Sequence, residues 1–205
     1  HAIWEMGGYL RQLTFSKLMC WLALDRLLKL DSRRILSLGK LAERFRNERQ
    51  AVAETIEQRG FNAEIASYTS ELDGARMDAS LLLMPCIGYR AADDPRVVST
   101  YERTWQRLGC GGLLHRYEHG IDELARREGA FGICGYWAVH HLACRGDIRE
   151  AKRLFEHITS FANDVGLFGE ETDPGTGAAL GNFPQGFTHV GLINAAIAIE
   201  QADNR

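Results

Sequence analysis

Seven stretches of this chain repeat apolar residues at the spacing of an α-helix, and this repetition constrains the fold more than any other feature. In 13–30, apolar side chains recur at 15, 18, 19, 22, 24, 27 and 28, so they share one helical face. The alternating pattern of a β-strand is nearly absent. The sequence therefore predicts an all-α fold with helices over 13–30, 34–59, 79–87, 95–108, 130–144, 148–163 and 184–201.

The connections between these helices alternate in length. Short hydrophilic links at 31–33 and 145–147 contrast with long segments rich in glycine, aromatic and acidic residues at 61–77, 109–129 and 165–185. Such alternation places the long connections on one face of a helical array, where function usually collects. Two helix starts carry recognisable signals: Asp78 is a candidate cap, and Asp94 precedes a proline at the first helical position.

The bulk properties indicate one ordinary globular domain over 1–205. The chain has 205 residues and a formal net charge of −3, with lysine and arginine scattered, which favours neither nucleic-acid nor membrane-surface binding. Its apolar runs fall short of the roughly 20 residues that span a bilayer. The five cysteines are odd in number and lack CxxC spacing, so we expect small, mostly buried thiols and a reducing cytoplasm.

Carboxylates stand out at both ends of the chain. Glu170 and Glu171 lie together in a loop dense with turn-forming residues, and Glu5 follows Ile3 and Trp4 just ahead of a helix. Desolvation beside large apolar side chains would raise the pKa of Glu5 toward that of a working acid. A pair of carboxylates in unlike settings is what hydrolysis of a glycosidic bond requires.

With these features, the chain resembles glycoside hydrolase family 15, the family of glucoamylases, glucodextranases and some bacterial trehalases. The matching segments occur in family order: IWEM at 3–6, LTFSKLMCWLALDR at 13–26, MDASLLLMP at 77–85, DPR at 94–96, RY at 116–117, GLFGEETDPGTGAALGNFPQ at 166–185 and FTH at 187–189. The resemblance implies an (α/α)6 toroid, of which the seven predicted helices would be helices six to twelve, with the first five lacking. Gly7 stands where such sequences commonly carry arginine, and Leu13 where they carry an aromatic residue.

The resemblance also implies roles for individual residues. Glu5 would be the general acid and Glu170 the general base, while Glu171 would belong to the substrate-binding residues, where it would orient Glu170 or face solvent. Arg116 and Tyr117 would contact sugar hydroxyls, and Trp4 would stack on a sugar ring. The structural alternatives are an exposed Glu5 at a helix entry, a packing role for Trp4 and a surface ion pair of Arg116 with Glu118.

The function so implied is that of an inverting, exo-acting α-glucoside hydrolase, glucoamylase-like, which releases β-glucose from an α-linked oligosaccharide or polysaccharide without a cofactor. Trehalase is the alternative within the same chemistry. A phosphorylase on the same toroid is opposed by the Glu170 loop, since a second carboxylate would repel phosphate. A non-catalytic helical fragment, self-associating through uncovered helix faces, is the alternative from another class.

We expect no metal site. His115 and His119 lie four residues apart, but no cysteine or carboxylate pattern accompanies them, and the chain has no HExxH motif. On the apolar fifth helix, the pair at 140 and 141 predicts one buried, hydrogen-bonded imidazole and one exposed one.

Overall fold

The computed structural model describes residues 3–4, 11–118 and 128–204. The chain packs as two compact units, His1–Arg76 and Met77–Arg205. That 1–205 forms one domain therefore stays a prediction. Among the described residues, none of the helices combines the length and apolar character that a membrane span requires.

The first unit is built on two helices, α1 (Thr14–Ser32) and α2 (Leu41–Thr55), which pack against each other. A turn of π-helix, Ile56–Gly60, then leads into a short hairpin of β1 (Phe61–Asn62) and β2 (Ser67–Tyr68). The predicted second helix begins later than expected. Residues 34–40 form a turn because Arg34 and Gly39 both adopt positive φ angles, of 59° and 53°.

A buried carboxylate ties the two helices of the first unit together. Asp25 of α1 is 3% exposed. It accepts a hydrogen bond from Arg49 of α2 at 3.0 Å and pairs with Lys29 and Arg26 of its own helix. Burial raises the pKa of Asp25, but the hydrogen bond from Lys29 and the three positive charges outweigh burial, so the pKa lies below its ordinary value.

The second unit contains the remaining five α-helices of the described chain. They are α3 (Leu83–Cys86), α4 (Pro95–Leu108), α5 (Gly132–Arg145), α6 (Ile148–Thr159) and α7 (Gly186–Asp203). A turn of 3₁₀-helix, Ala79–Leu82, precedes α3. The two predicted start signals are confirmed: the carboxylates of Asp78 and Asp94 accept backbone N–H bonds from Ser80 and Arg96 at 2.8 and 2.9 Å.

Helix α5 is the centre of this unit. Ten of its residues are buried, and it packs on α3, α6 and α7. A helix that is apolar all round can be stable in water only when neighbours cover it on several sides, which explains this central place. In contrast, α7 exposes a row of large apolar side chains: Phe187, Val190, Ile193 and Ile197.

Short strands connect the helices of the second unit. A hairpin joins β3 (Gly109–Cys110) to β4 (Leu113–Leu114). A three-stranded antiparallel sheet has β6 (Glu171–Thr172) at its centre, between β5 (Ala130–Phe131) and β7 (Ala179–Leu180). The strands are two residues long, too short for an alternating pattern to be visible in the sequence.

Candidate active site

The segment that carries Glu170 and Glu171 is held in place by backbone pairing. In the sheet, Phe131 lies opposite Glu171 and Thr172 opposite Ala130, while Glu171 also faces Leu180 on the other side. Immediately before β6, the carbonyl of Glu170 accepts a hydrogen bond from the N–H of Gly132 at 2.9 Å. Since Gly132 opens α5, the acidic pair is anchored to the first turn of the buried central helix.

Glu170 has its carboxylate positioned by Asn182. Its Oε2 atom accepts hydrogen bonds from the backbone N–H and the side-chain amide of Asn182, at 3.1 and 2.9 Å. The backbone N–H of Glu170 in turn donates to the carbonyl of Asn182 at 2.9 Å. Gly181, at φ +69°, lies against the same carboxylate, where a Cβ would come within 2.7 Å of Oε2. The carboxylate is partly exposed, so it can meet solvent while its position stays defined.

Glu171 points to a different partner. Its Oε2 atom accepts a hydrogen bond from the N–H of Gly129 at 2.8 Å. Burial raises the pKa of Glu171, helped by the charges of Glu128 and Glu170 and opposed by the Gly129 N–H and by Arg116. Adjacent residues of a strand project to opposite sides, which accounts for the divergence of the two carboxylates. Glu171 is half-buried in this position, and its expected place in the substrate site, orienting Glu170 or facing solvent, stays a prediction.

Arg116 forms its ion pair with Glu128. The guanidinium donates from Nε to Glu128 Oε2 at 3.1 Å and from Nη2 to the second oxygen, a two-point contact that fixes its plane. The rings of Tyr117 and Phe131 both lie with centroids 5.1 Å from the guanidinium carbon, at cation–π distance. Because Phe131 also pairs with Glu171 across the sheet, Arg116 is held near the acidic strand.

The predicted alternative partner of Arg116, Glu118, has other contacts. Glu118 pairs with Arg107 and accepts the N–H of Met77 at 3.0 Å. The structural alternative for Arg116, an ion pair with Glu118, is therefore wrong, because the carboxylate of Glu118 is bonded to Arg107 and Met77 while Arg116 is bonded to Glu128. Tyr117 is placed by a backbone bridge to Asp78, the same residue that caps the 3₁₀ turn.

The acidic residue at the start of the chain is not part of this geometry. Glu5 lies outside the described residues, as do Gly7 and His119. Trp4 is described, belongs to the first unit and is buried, with 5% of its surface exposed. The roles of Glu5 as acid and Trp4 as sugar platform stay predictions, and so does the pairing of Glu5 with Glu170.

Sequence reasoning missed three residues that organise the site. Asn182 holds Glu170, Gly129 holds Glu171, and Glu128 holds Arg116. Asn182 lies within the quoted 166–185 motif, so the Gly-Asn turn could have been recognised as a partner of the acidic pair. Nothing in the sequence distinguishes Glu128 from the other acidic residues of 118–128, since its contact with Arg116 depends on the fold.

Comparison with known families and solved structures agrees with this architecture. Residues 1–197 match the family described as glycosyl hydrolases family 15. Among solved structures, a glycosidase covers 96% of this chain with a TM-score of 0.80 at 16% identity, over 54% of its own length. A bacterial glucoamylase complexed with acarbose covers 98% of the chain with a TM-score of 0.79, also at 16% identity, over 35% of its length. The predicted fold class, an all-α part of the (α/α)6 toroid, is confirmed.

Curated relatives with similar sequences are trehalases. The trehalase of Mycolicibacterium smegmatis is 39% identical over 98% of this chain, and that of Mycobacterium tuberculosis 38% identical over the same share. The trehalase of Thermoplasma acidophilum is 31% identical, again over 98% of the chain. The chain spans about a third of the length of these relatives, 30% for the first two and 34% for the third.

Proposed function

This chain belongs to glycosyl hydrolases family 15, and from that premise we propose that it carries the general base of an inverting α-glucoside hydrolase. Glu170 is the base: its carboxylate deprotonates a water that attacks the anomeric carbon from the face opposite the leaving group. Glu5 is the acid that protonates the departing glycosidic oxygen. The reaction moves two protons and needs no redox chemistry, so carboxylates suffice for it.

The observation that carries this proposal is the fixed position of Glu170. A general base must hold its oxygen within hydrogen-bond reach of one water, and a freely rotating glutamate on a loop would lose much of that advantage. Here two donors from Asn182 and the pairing of β6 restrict the carboxylate. Both hydrogen bonds from Asn182 end on the same carboxylate oxygen, Oε2, which leaves the other oxygen for a water.

Arg116 fits a role in binding the sugar. The two-point contact with Glu128 and the neighbouring rings of Tyr117 and Phe131 keep the guanidinium in one plane, and its fork of N–H donors matches the hydroxyl oxygens of a sugar. Arg116 and Tyr117 are proposed to contact substrate hydroxyls. Glu171 supports them from the side, since its carboxylate fastens the strand to Gly129.

We propose α,α-trehalose as the substrate. The support is the similarity to trehalases of three genera over nearly the whole chain, at identities of up to 39%. The second candidate is a glucoamylase-type activity on α-linked gluco-oligosaccharides, supported by the shared fold with a bacterial glucoamylase at TM-score 0.79. The two candidates differ in the sugar that occupies the leaving-group position.

Time-resolved proton NMR of the full-length protein with trehalose tests both the reaction and the substrate. Inversion at one anomeric carbon converts that glucose to the β-anomer, while the leaving glucose keeps its α-configuration. The initial products should therefore be α- and β-glucose in equal amounts. Release of α-glucose alone would overturn the inverting assignment, and efficient turnover of maltose with little turnover of trehalose would favour the second candidate.

A pair of matched variants tests the assignment of the base. Glu170→Gln keeps the shape and the hydrogen bonds from Asn182 but removes basicity, so kcat should fall by about 100-fold or more. Glu171→Gln retains an acceptor for Gly129 and should leave kcat within about tenfold of the parent. Equal losses in the two variants would contradict the assignment of Glu170, and a larger loss in Glu171→Gln would transfer the role to that residue.

A further inference from the structure

A second constellation of reactive side chains lies at the other end of the central helix. Cys86 ends α3, and His140 and Cys144 lie on α5, one helical turn apart. The two thiol sulfurs and one imidazole nitrogen lie within 4.8 Å of one another. None of these three residues belongs to the candidate active site.

The backbone presents the three donors to one point. Residues four apart on a helix share a face, so His140 and Cys144 project from the same side of α5. Helix α3 packs against α5, and this contact brings Cys86 to that side. The thiol sulfurs of Cys86 and Cys144 lie within 4.8 Å of each other, and the Cys86 thiol donates to the carbonyl of Leu82 at 3.7 Å.

The exposure of the cluster allows access from solvent. Cys144 is exposed, while Cys86 and His140 are half-buried. This exposure departs from the expectation that the cysteines inside apolar patterns are buried. Cys134 is buried as expected, but Cys144 lies near the end of α5, where the helix leaves its covering neighbours.

We propose that Cys86, His140 and Cys144 bind a zinc ion. Two thiolates and one neutral imidazole are a ligand set typical of tetrahedral Zn²⁺, and water completes the fourth position. On binding, each thiol loses its proton to solvent, so the two thiolates neutralise the two charges of the ion. Oxygen-preferring cations such as Mg²⁺ and Ca²⁺ are poorly matched to two sulfur ligands.

Donor atoms that all lie within 4.8 Å of one another are close enough for such a site to form by small side-chain rotations. Zinc bonds of about 2.3 Å to sulfur and 2.0–2.1 Å to nitrogen require the donors to approach one another to somewhat less than 4 Å. A shift of about 1 Å is within the reach of χ1 rotations of the exposed Cys144 and of the partly exposed His140. No rearrangement of the two helices is needed.

The position of the site separates the ion from the reaction proposed for Glu170. Gly132, which anchors Glu170, opens α5, whereas Cys144 lies twelve residues further on, about 18 Å along the helix axis. The ion would cross-link the four-residue helix α3 to the central helix. It would thereby stabilise the second unit without contacting the acidic residues of the candidate active site.

Spectroscopic titration with Co²⁺, followed by displacement with Zn²⁺, tests this site in the full-length protein kept reduced by a phosphine. The parent should bind one Co²⁺ with thiolate-to-metal charge-transfer absorption and the intense visible bands of tetrahedral cobalt. Cys144→Ser and His140→Gln should each weaken binding by at least about 100-fold. Cys20→Ser, which removes another exposed helical cysteine, is the matched control and should bind like the parent.

Thermal unfolding supplies the second measurement. Excess Zn²⁺ should raise the Tm of the parent and of Cys20→Ser by several degrees and leave that of Cys144→Ser unchanged, because an ion that binds the folded state alone stabilises it. Absence of charge-transfer absorption in the parent would overturn the proposal. So would equal binding by Cys144→Ser and Cys20→Ser, or a Cys86–Cys144 disulfide found by mass spectrometry in protein prepared with Zn²⁺ present.

Discussion

Replacing Gly181 with alanine offers a direct test of whether the position of the Glu170 carboxylate governs activity. Gly181 adopts φ +69°, and a Cβ built there lies 2.7 Å from Glu170 Oε2 and 3.0 Å from Glu170 Cβ. The approach to Oε2 is closer than real Cβ atoms come to other heavy atoms, and the approach to Cβ is tighter than most such contacts. The substitution therefore moves the carboxylate without changing its chemistry.

The size of the displacement follows from these distances. Ordinary van der Waals contact begins at 3.4 Å, so Oε2 must retreat by at least about 0.7 Å, the difference between 3.4 and 2.7 Å. This movement also stretches the hydrogen bonds from Asn182. A misplacement of about 1 Å can cost about 100-fold in rate, so we expect kcat to fall by about 10- to 100-fold. Alanine in a left-handed conformation adds about 1–2 kcal/mol of destabilisation.

Gly166→Ala is the matched control for this experiment. Gly166 lies in the same connection at φ +78°, but a Cβ there meets nothing within 4 Å. It carries the same backbone penalty with no effect on the carboxylate. The free energy of unfolding, from urea titration, should fall by about 1–2 kcal/mol in both variants.

Comparing the reaction rates of the two variants shows whether the position of the Glu170 carboxylate governs activity. Initial rates of glucose release from trehalose, or from maltose if the second candidate holds, should fall about 10- to 100-fold in Gly181→Ala and stay within about twofold in Gly166→Ala. Equal rates in the two variants would refute the reasoning, because the carboxylate would then have been moved without consequence. Strong losses in both would assign the effect to the backbone of the loop.

Three further predictions concern other parts of the chain. Burial lowers the pKa of His141 to about 4, so the unfolded state binds more protons than the folded state between pH 4 and 6.5. The free energy of unfolding, from urea titrations, should therefore fall by about 3 kcal/mol from pH 7 to pH 4. His141→Gln should lack this pH-dependent part, and identical pH profiles of the variant and the parent would contradict the prediction. Arg116→Lys should lower kcat/KM by about 10- to 100-fold, because lysine cannot replace the two-point contact with Glu128. Arg107→Lys, which changes a more exposed arginine, is the control and should have little effect. A larger loss of kcat/KM in Arg107→Lys than in Arg116→Lys would exclude Arg116 from the site. The exposed apolar residues of α7 should promote self-association of the 205-residue chain, so the double variant Val190→Ser, Ile193→Ser should sediment more like a 23.0 kDa monomer. Val165→Ser, which changes an exposed residue outside this row, is the control. A monomeric parent would refute the prediction of self-association.

Helix content could be predicted well from the sequence because it depends on local periodicity. Each of the seven predicted segments overlaps one of the α-helices in the described part of the chain, and the caps at Asp78 and Asp94 lie where expected. The start of α2 was placed too early because its apolar spacing continued through residues whose backbone turns back at Arg34 and Gly39. His141 is buried and bonded to Leu82 through Nδ1 at 3.0 Å, as predicted, but its Nε2 has no hydrogen-bond partner among the described residues.

The family and the identity of the acidic pair also followed from the sequence, because the 166–185 motif is contiguous. The partners of that pair did not. Asn182 lies 12 residues from Glu170, and Gly129 lies 42 residues from Glu171, so each contact depends on a turn or a sheet register that local patterns leave open. The pairing of Arg116 with Glu128 rather than Glu118 is of the same kind.

The amino-acid sequence alone thus determined which segments are helical and which carboxylates are candidates for catalysis, since both depend on near neighbours in the chain. Tertiary structure decided which side chains meet. It gave Glu170 and Glu171 separate partners, surrounded the guanidinium of Arg116 with aromatic rings, and brought Cys86 to two donors on α5 more than fifty residues away. The physical reason is that packing of apolar helix faces sets the spatial neighbours, and many sequences with the same helical periodicity could pack in other ways.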